Sequence, residues 1–193
     1  MRSPGAAVVA DTVRVQRISV VGNSGSGKTT LARRIAAALG VPHLELDSVF
    51  HQSGWQPLDT GEFRRTVSDF TSGDAWITDG NYSAVQDIIW ASADTVVWVD
   101  PPRHRVMRQL AARTLRRTAT RQELWNGNRE PWTNLFRFDP EQSILAWAWT
   151  RHHRCRARCL AAQAHPAHRH LTFVRVRTPA DAAALVRDAA SRP

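Results

Sequence analysis

The sequence predicts an α/β fold, a three-layer sandwich in which a five-stranded parallel sheet carries helices on both faces. Three observations carry this expectation. Short apolar, β-branched runs occur at residues 14–21, 41–46, 75–78, 95–99 and 172–176. Helical stretches separate them, and strands alternating with helices form crossover units that bury both faces of a parallel sheet. The 193 residues, 42% hydrophobic and 22% charged, suit one folded domain rather than a disordered chain. No internal repeat or low-complexity linker divides the chain, so residues 1–193 are expected to form a single domain.

The first strand, 14–21, runs straight into Gly22-Asn23-Ser24-Gly25-Ser26-Gly27-Lys28-Thr29, which matches G-x-x-x-x-G-K-[ST] in full. A helix over 30–39, opening at Thr30, follows and stops at Gly40. Strand, glycine loop and helix together form a P-loop. Glycines at 22, 25 and 27 let the backbone N–H groups turn inward around a phosphate. The helix N-terminus adds partial positive charge and free donors. Lys28 supplies a compact cation for β- and γ-phosphates, and Thr29 a hydroxyl for Mg²⁺. The 26 basic residues comprise this single lysine and arginine everywhere else. The one lysine thus stands where a point charge is needed.

Residues 41–46 form the second strand, ending at Asp47, with Phe50, His51 and Trp55 in the loop beyond. A helix over 62–71 leads to the third strand, 75–78, closed by Asp79-Gly80-Asn81-Tyr82. Residues 85–90 are helical, and the fourth strand, 95–99, ends at Asp100. Pro102 opens a helix reaching about residue 117. The fifth strand, 172–176, is followed by Arg177-Thr178-Pro179 and a closing helix over 180–190. Ligands of such sheets sit beyond the carboxyl ends of the strands. Asp47, Asp79 and Asp100 all fall there, and Asp79 or Asp100 would hold Mg²⁺ together with Thr29. Each aspartate could also serve as a helix cap or turn former.

Between strands four and five, Arg113, Arg116 or Arg117, and Arg121 recur at spacings of three or four that put them on one helix face. A turn-rich insert, Glu123-Leu124-Trp125-Asn126-Gly127-Asn128-Arg129-Glu130, then leads to a second helix over 141–164. The segment 113–139 is where a lid over the nucleotide would sit, its arginines neutralising a transferring phosphoryl group. A solvated basic face is the plainer reading of the same arginines. The net charge of +9 also permits nucleic acid as a partner, although no nucleic-acid-binding module is present. His152, His153, Cys155 and Cys159 lack the second half of a metal site, and the two cysteines read as small buried hydrophobes. Trp55, in the loop after Asp47, is a candidate for stacking on a substrate. Two cysteines and no apolar run near the ~20 residues of a membrane span lead to an expected cytoplasmic location with no membrane partner.

The stretches GNSGSGKTTLARRIA, LELDSVFHQSGWQP, WITDGNY and RQELWNGNRE together resemble the adenylate-kinase-like P-loop NTPases. The pattern is most similar to the bacterial family labelled DNA topology modulation proteins. The resemblance implies a nucleoside-monophosphate-kinase-like sheet with an acceptor-side segment and a helical lid. It implies that Asp79 lies near Mg²⁺ and Asp47 on the acceptor side. It makes Arg113, Arg117 and Arg121 lid arginines, and it sets Arg177 and Pro179 against the adenine. Asp79-Gly80-Asn81-Tyr82-Ser83 departs from the D-G-[FY]-P-R of adenylate kinases and lacks their Pro and Arg. The expected activity is Mg²⁺-dependent transfer of the ATP γ-phosphate to a small acceptor: a nucleoside, a nucleotide or a sugar. The alternative is a nucleotide-dependent regulatory or DNA-associated ATPase. Acceptor identity and oligomeric state are left open.

Overall fold

A computed structural model of the chain describes residues 16–120, 123–129 and 144–191. Residues 121–122, Arg121 among them, and 130–139 of the expected lid insert lie outside the described residues. Five parallel strands run β1 (Arg17–Gly22), β2 (His43–Glu45), β3 (Trp76–Asp79), β4 (Thr95–Val99) and β5 (Thr172–Val176), in the spatial order β2-β3-β1-β4-β5. The helices are α1 (Lys28–Leu39), α2 (Leu46–Phe50), α3 (Thr60–Thr71), α4 (Ser83–Ser92), α5 (Arg103–Ala119), α6 (Ile144–Ala164) and α7 (Pro179–Ala190). The expected α/β fold is the one observed.

Alternation along the strands sorts the core onto two faces. Ile18, Val20, Ile77, Val97 and Val99 pack with Leu31, Ala32 and Ile35 of α1 and with α7. Val21, Trp76, Val96 and Trp98 face the other way, onto Phe63 and Val67 of α3, Val85 and Ile89 of α4, and Cys155 and Cys159 of α6. Both cysteines are buried, as expected of small apolar side chains. Trp76, Trp90 and Trp98 are core residues.

Of the boundaries that differ from expectation, three have a plain local reason. Helix α1 begins at Lys28 because Gly27, in a left-handed conformation (φ 94°), is its N-cap and the last loop residue. Strand β2 spans only His43–Glu45, because buried Leu46 already opens α2; Asp47 therefore sits in the first turn of a short helix rather than in a loop. Helix α3 starts at Thr60, where the Asp59 carboxylate accepts from the Glu62 N–H at 3.1 Å.

The strand order decides where ligands can go. Central β1 is flanked by β3 and β4 in register, Val20 beside Asp79 and Gly22 beside Val99. The P-loop therefore leaves the sheet between the ends of β3 and β4.

Candidate active site

The P-loop is held closed by close packing and by one amide. A Cβ at Gly22 would meet the Val99 carbonyl oxygen at 2.5 Å and Ser26 Oγ at 2.8 Å, so this position admits hydrogen alone. Gly25 (φ 79°) approaches Leu110 of α5 in the same way. The Asn81 side chain pairs with Gly22 in both directions: Oδ1 accepts from the Gly22 N–H at 3.2 Å, and Nδ2 donates to the Gly22 carbonyl. Asn81 thus extends β3's hold on β1 past the end of the sheet. Sequence reasoning used Asn81 within WITDGNY and as a departure from the adenylate kinase pattern, and missed this role. The signal was its position two residues after Asp79.

Thr29, in the first turn of α1, donates its hydroxyl to Asp79 Oδ1 at 3.3 Å, and His43 Nε2 lies 3.2 Å from Asp79 Oδ2. Asp79 is fully buried at the end of β3. The expected Thr29–Asp79 pair is therefore assembled, with His43 of β2 as a third member that the sequence did not reveal. Asp100 is placed otherwise. Arg175 of β5 donates Nε to Asp100 Oδ2 at 3.0 Å, and Arg156 of α6 lies 3.8 Å from the same oxygen. The Arg175 guanidinium also lies 4.4 Å over the Trp98 ring. Two guanidiniums already neutralise Asp100, which leaves Asp79 as the carboxylate beside Thr29.

The donor set suits a Mg-nucleotide. Ser26 Oγ, buried inside the loop, has no hydrogen-bond partner among the described residues, as a hydroxyl placed to meet a ligand would. Thr29 and Asp79 offer the hard oxygen donors that Mg²⁺ selects, directly or through water. On the far side of the P-loop lies a cavity of about 250 Å³ lined by Ser26, Thr30, Gln109, Arg177, Thr178 and Pro179. It brings Arg177 and Pro179 beside the first turn of α1.

Beyond the ends of β2 and β3 lies an aromatic corner that holds the Asp47 carboxylate. Tyr82, which precedes α4, donates its hydroxyl to Asp47 Oδ1 at 2.6 Å and lies 3.4 Å from His51 Nε2. Burial first, and the Asp47 carboxylate second, raise the Tyr82 phenol far above its ordinary range, so it stays protonated and donating. Burial lowers the His51 pKa, opposed in part by Asp47. Phe63 packs edge to face on Phe50 and on Tyr82, and Phe50 lies tilted against Tyr82, with centroids 4.7–5.4 Å apart. Arg64 is engaged elsewhere: it forks onto Asp87 at 2.9 and 2.8 Å.

In α5, Arg113 and Arg117 are half-buried, and the Arg117 guanidinium lies 6.0 Å from the Trp125 ring centroid. Trp55 is not an isolated platform. Its backbone N–H donates to Asn128 Oδ1 at 2.9 Å, its indole N–H donates to the Arg129 carbonyl at 3.3 Å, and its ring meets Trp125 edge-on.

No family model matches the chain. A stretch of 39 residues is 46% identical to cytidylate kinase from Nitratidesulfovibrio vulgaris, covering 20% of this chain and 17% of that protein. The chain thus matches about a sixth of the length of that curated relative. Solved structures are similar over nearly the whole chain. A gluconokinase from Sinorhizobium meliloti 1021 aligns over 92% of this chain and 90% of its own, at 18% identity and TM-score 0.52. Shikimate kinase from Acinetobacter baumannii, in complex with shikimate, aligns over 91% and 90%, at 17% identity and TM-score 0.54. These likenesses bear out the kinase-like P-loop fold, while the narrower resemblance to DNA topology modulation proteins finds no support among them. The chain has the P-loop α/β fold shared by these small-molecule kinases.

Proposed function

We propose that the protein is an ATP- and Mg²⁺-dependent phosphotransferase acting on a small hydroxylated acceptor. The observation that carries this reading is the Tyr82–Asp47 pair, a carboxylate held at 2.6 Å on the acceptor side of a complete P-loop. Tyr82 occupies Oδ1, and among the described residues Oδ2 takes no side-chain hydrogen bond, which leaves it to accept one from an acceptor hydroxyl. A phosphate acceptor would be repelled by Asp47, and Arg64, which could have offset that charge, is spent on Asp87.

Each residue then has a definite task. The P-loop N–H groups and Lys28 bind the β- and γ-phosphates, and Ser26 Oγ gains its missing partner there. Thr29 and Asp79 would hold Mg²⁺, which when bound supplies charge neutralisation across the phosphates. Asp47 orients the acceptor hydroxyl and takes its proton as the oxygen bonds to the γ-phosphorus and the bond from that phosphorus to the departing ADP breaks. Arg113 and Arg117 offset charge on the phosphoryl group as it transfers. Arg177 and Pro179 flank the base in the 250 Å³ cavity.

The test is ADP formation with Mg-ATP against a panel of gluconate, shikimate, cytidylate, nucleosides and simple sugars, with double-stranded DNA in a further well. Turnover stimulated by one hydroxylated compound supports the reading and names the acceptor. Stimulation by DNA alone overturns it in favour of a DNA-associated ATPase, a reading that rests on the net charge of +9.

A further inference from the structure

The two loops that meet above the acceptor corner share one backbone design. In the first, His51 bridges to Pro57, the Gln52 N–H donates to the Gln56 carbonyl at 2.8 Å, and Gly54 and Trp55 are left-handed (φ 69° and 61°). In the second, Glu123 bridges to Arg129, the Leu124 N–H donates to the Asn128 carbonyl at 2.7 Å, and Asn126 and Gly127 are left-handed (φ 55° and 78°). The offsets within each loop are identical. Left-handed backbone at Trp55 and Asn126 is costly for side chains that carry a Cβ, so the surroundings must over-determine it.

Those surroundings are the loops themselves, locked face to face. Asn126 Nδ2 donates to the His51 carbonyl at 2.6 Å and lies 3.2 Å from that of Ser48. Asn128, 4% exposed, donates Nδ2 to the Gln52 carbonyl at 2.8 Å while its Oδ1 accepts from the Trp55 N–H at 2.9 Å. The Trp125 ring stacks on His51 at 5.9 Å. His51 in turn faces the Tyr82 hydroxyl that holds Asp47. The Asn126 and Asn128 amides end on main-chain groups of the first loop and of α2, and the Trp55 indole returns a bond to the Arg129 carbonyl, so the second loop fixes the path of the first.

We propose that Asn126 and Asn128 are positioning residues of the phosphotransfer site, clasping the loop at 51–57 so that His51 and Tyr82 keep Asp47 in place. The proposal rests on the reading of Asp47 as the acceptor-side carboxylate. Through Arg117, whose guanidinium lies over Trp125, the clasp also ties the acceptor corner to the arginine helix α5.

Asn126→Gly tests this cleanly, because glycine retains the left-handed backbone and removes only the amide. Asn128→Ala is the second variant. Amide hydrogen exchange with Mg-ATP present is expected to accelerate at least ~10-fold across 48–57 in Asn126→Gly, with β1 and α1 unchanged. For the panel compound that gives the highest rate, kcat/KM for the acceptor is expected to fall ~10-fold or more while KM for Mg-ATP holds. Unchanged exchange at 48–57 overturns the clasp, whether or not turnover is found. Faster exchange with unchanged acceptor kinetics, or acceptor and ATP parameters falling together, overturns the positioning role. Absence of turnover in the wild type overturns the functional reading itself, while the exchange result still decides the clasp.

Discussion

Lys28 is the only lysine in an arginine-rich chain, and the P-loop around it requires a point charge rather than a planar fork. Lys28→Ala is expected to abolish the rise in melting temperature that saturating Mg-ATP gives the wild type. That rise should be about 5–10 °C if ligand at a hundred times its Kd contributes ~2.7 kcal/mol. A surviving shift would place the phosphates elsewhere. Asp47→Asn is expected to lower acceptor-dependent turnover by about 10²–10⁴-fold, the usual contribution of a general base, and to leave the Mg-ATP shift intact. His51 makes a pH prediction. Its pKa is lowered in the fold, so near pH 6.5 the unfolded chain binds a proton that the folded chain refuses. Its contribution to stability is complete above pH 6.5 and is lost as pH falls toward the depressed folded value. Melting temperature should therefore decline more steeply below pH 6.5 in the wild type than in His51→Gln.

At the scale of elements, the sequence announced all five strands and the longer helices between them, because each carries its own periodicity and stop signal, but not the short α2. It placed the start of α7 one residue late, although the capping box was written there: the Thr178 hydroxyl accepts from the Asp181 N–H at 3.1 Å, and Asp181 accepts from the Thr178 N–H at 3.0 Å. Thr178→Ala is expected to cost about 1 kcal/mol, read as a melting temperature lower by 2–4 °C. The Lys28, Thr29 and Asp79 grouping was also legible, since a motif and a strand end fix those positions. The Asn81–Gly22 pair and the clasp were not. They join residues 59 and 73–78 positions apart, and such pairings leave no trace in local pattern. The Asp100–Arg175 pair, 75 positions apart, left no local sign for the same reason. Helix α5 carries a prediction of its own. Replacing Arg113 and Arg117 together by Ala should lower kcat far more than Mg-ATP affinity, and an equal loss in both would make them ground-state ligands.

For the molecule as a whole, the order β2-β3-β1-β4-β5 puts the P-loop strand at the centre and its ligands at one edge. Asp79 and Asn81 reach it from β3, and the cavity of Arg177 and Pro179 lies on the β5 side. The net charge of +9 predicts some retention on DNA at low salt. If only scattered arginines meet the phosphates, that retention should vanish at moderate ionic strength without any effect on turnover. The clasp has a last consequence, for the order in which the chain takes shape during synthesis. Residues 51–55 find their partners at 126–129, so the acceptor corner cannot close until α5 and the turn beyond it have left the ribosome. Until then the nascent protein can build the P-loop strand and α1, yet it must carry an unfinished aromatic corner, exposed to chaperones, for some seventy residues of further growth.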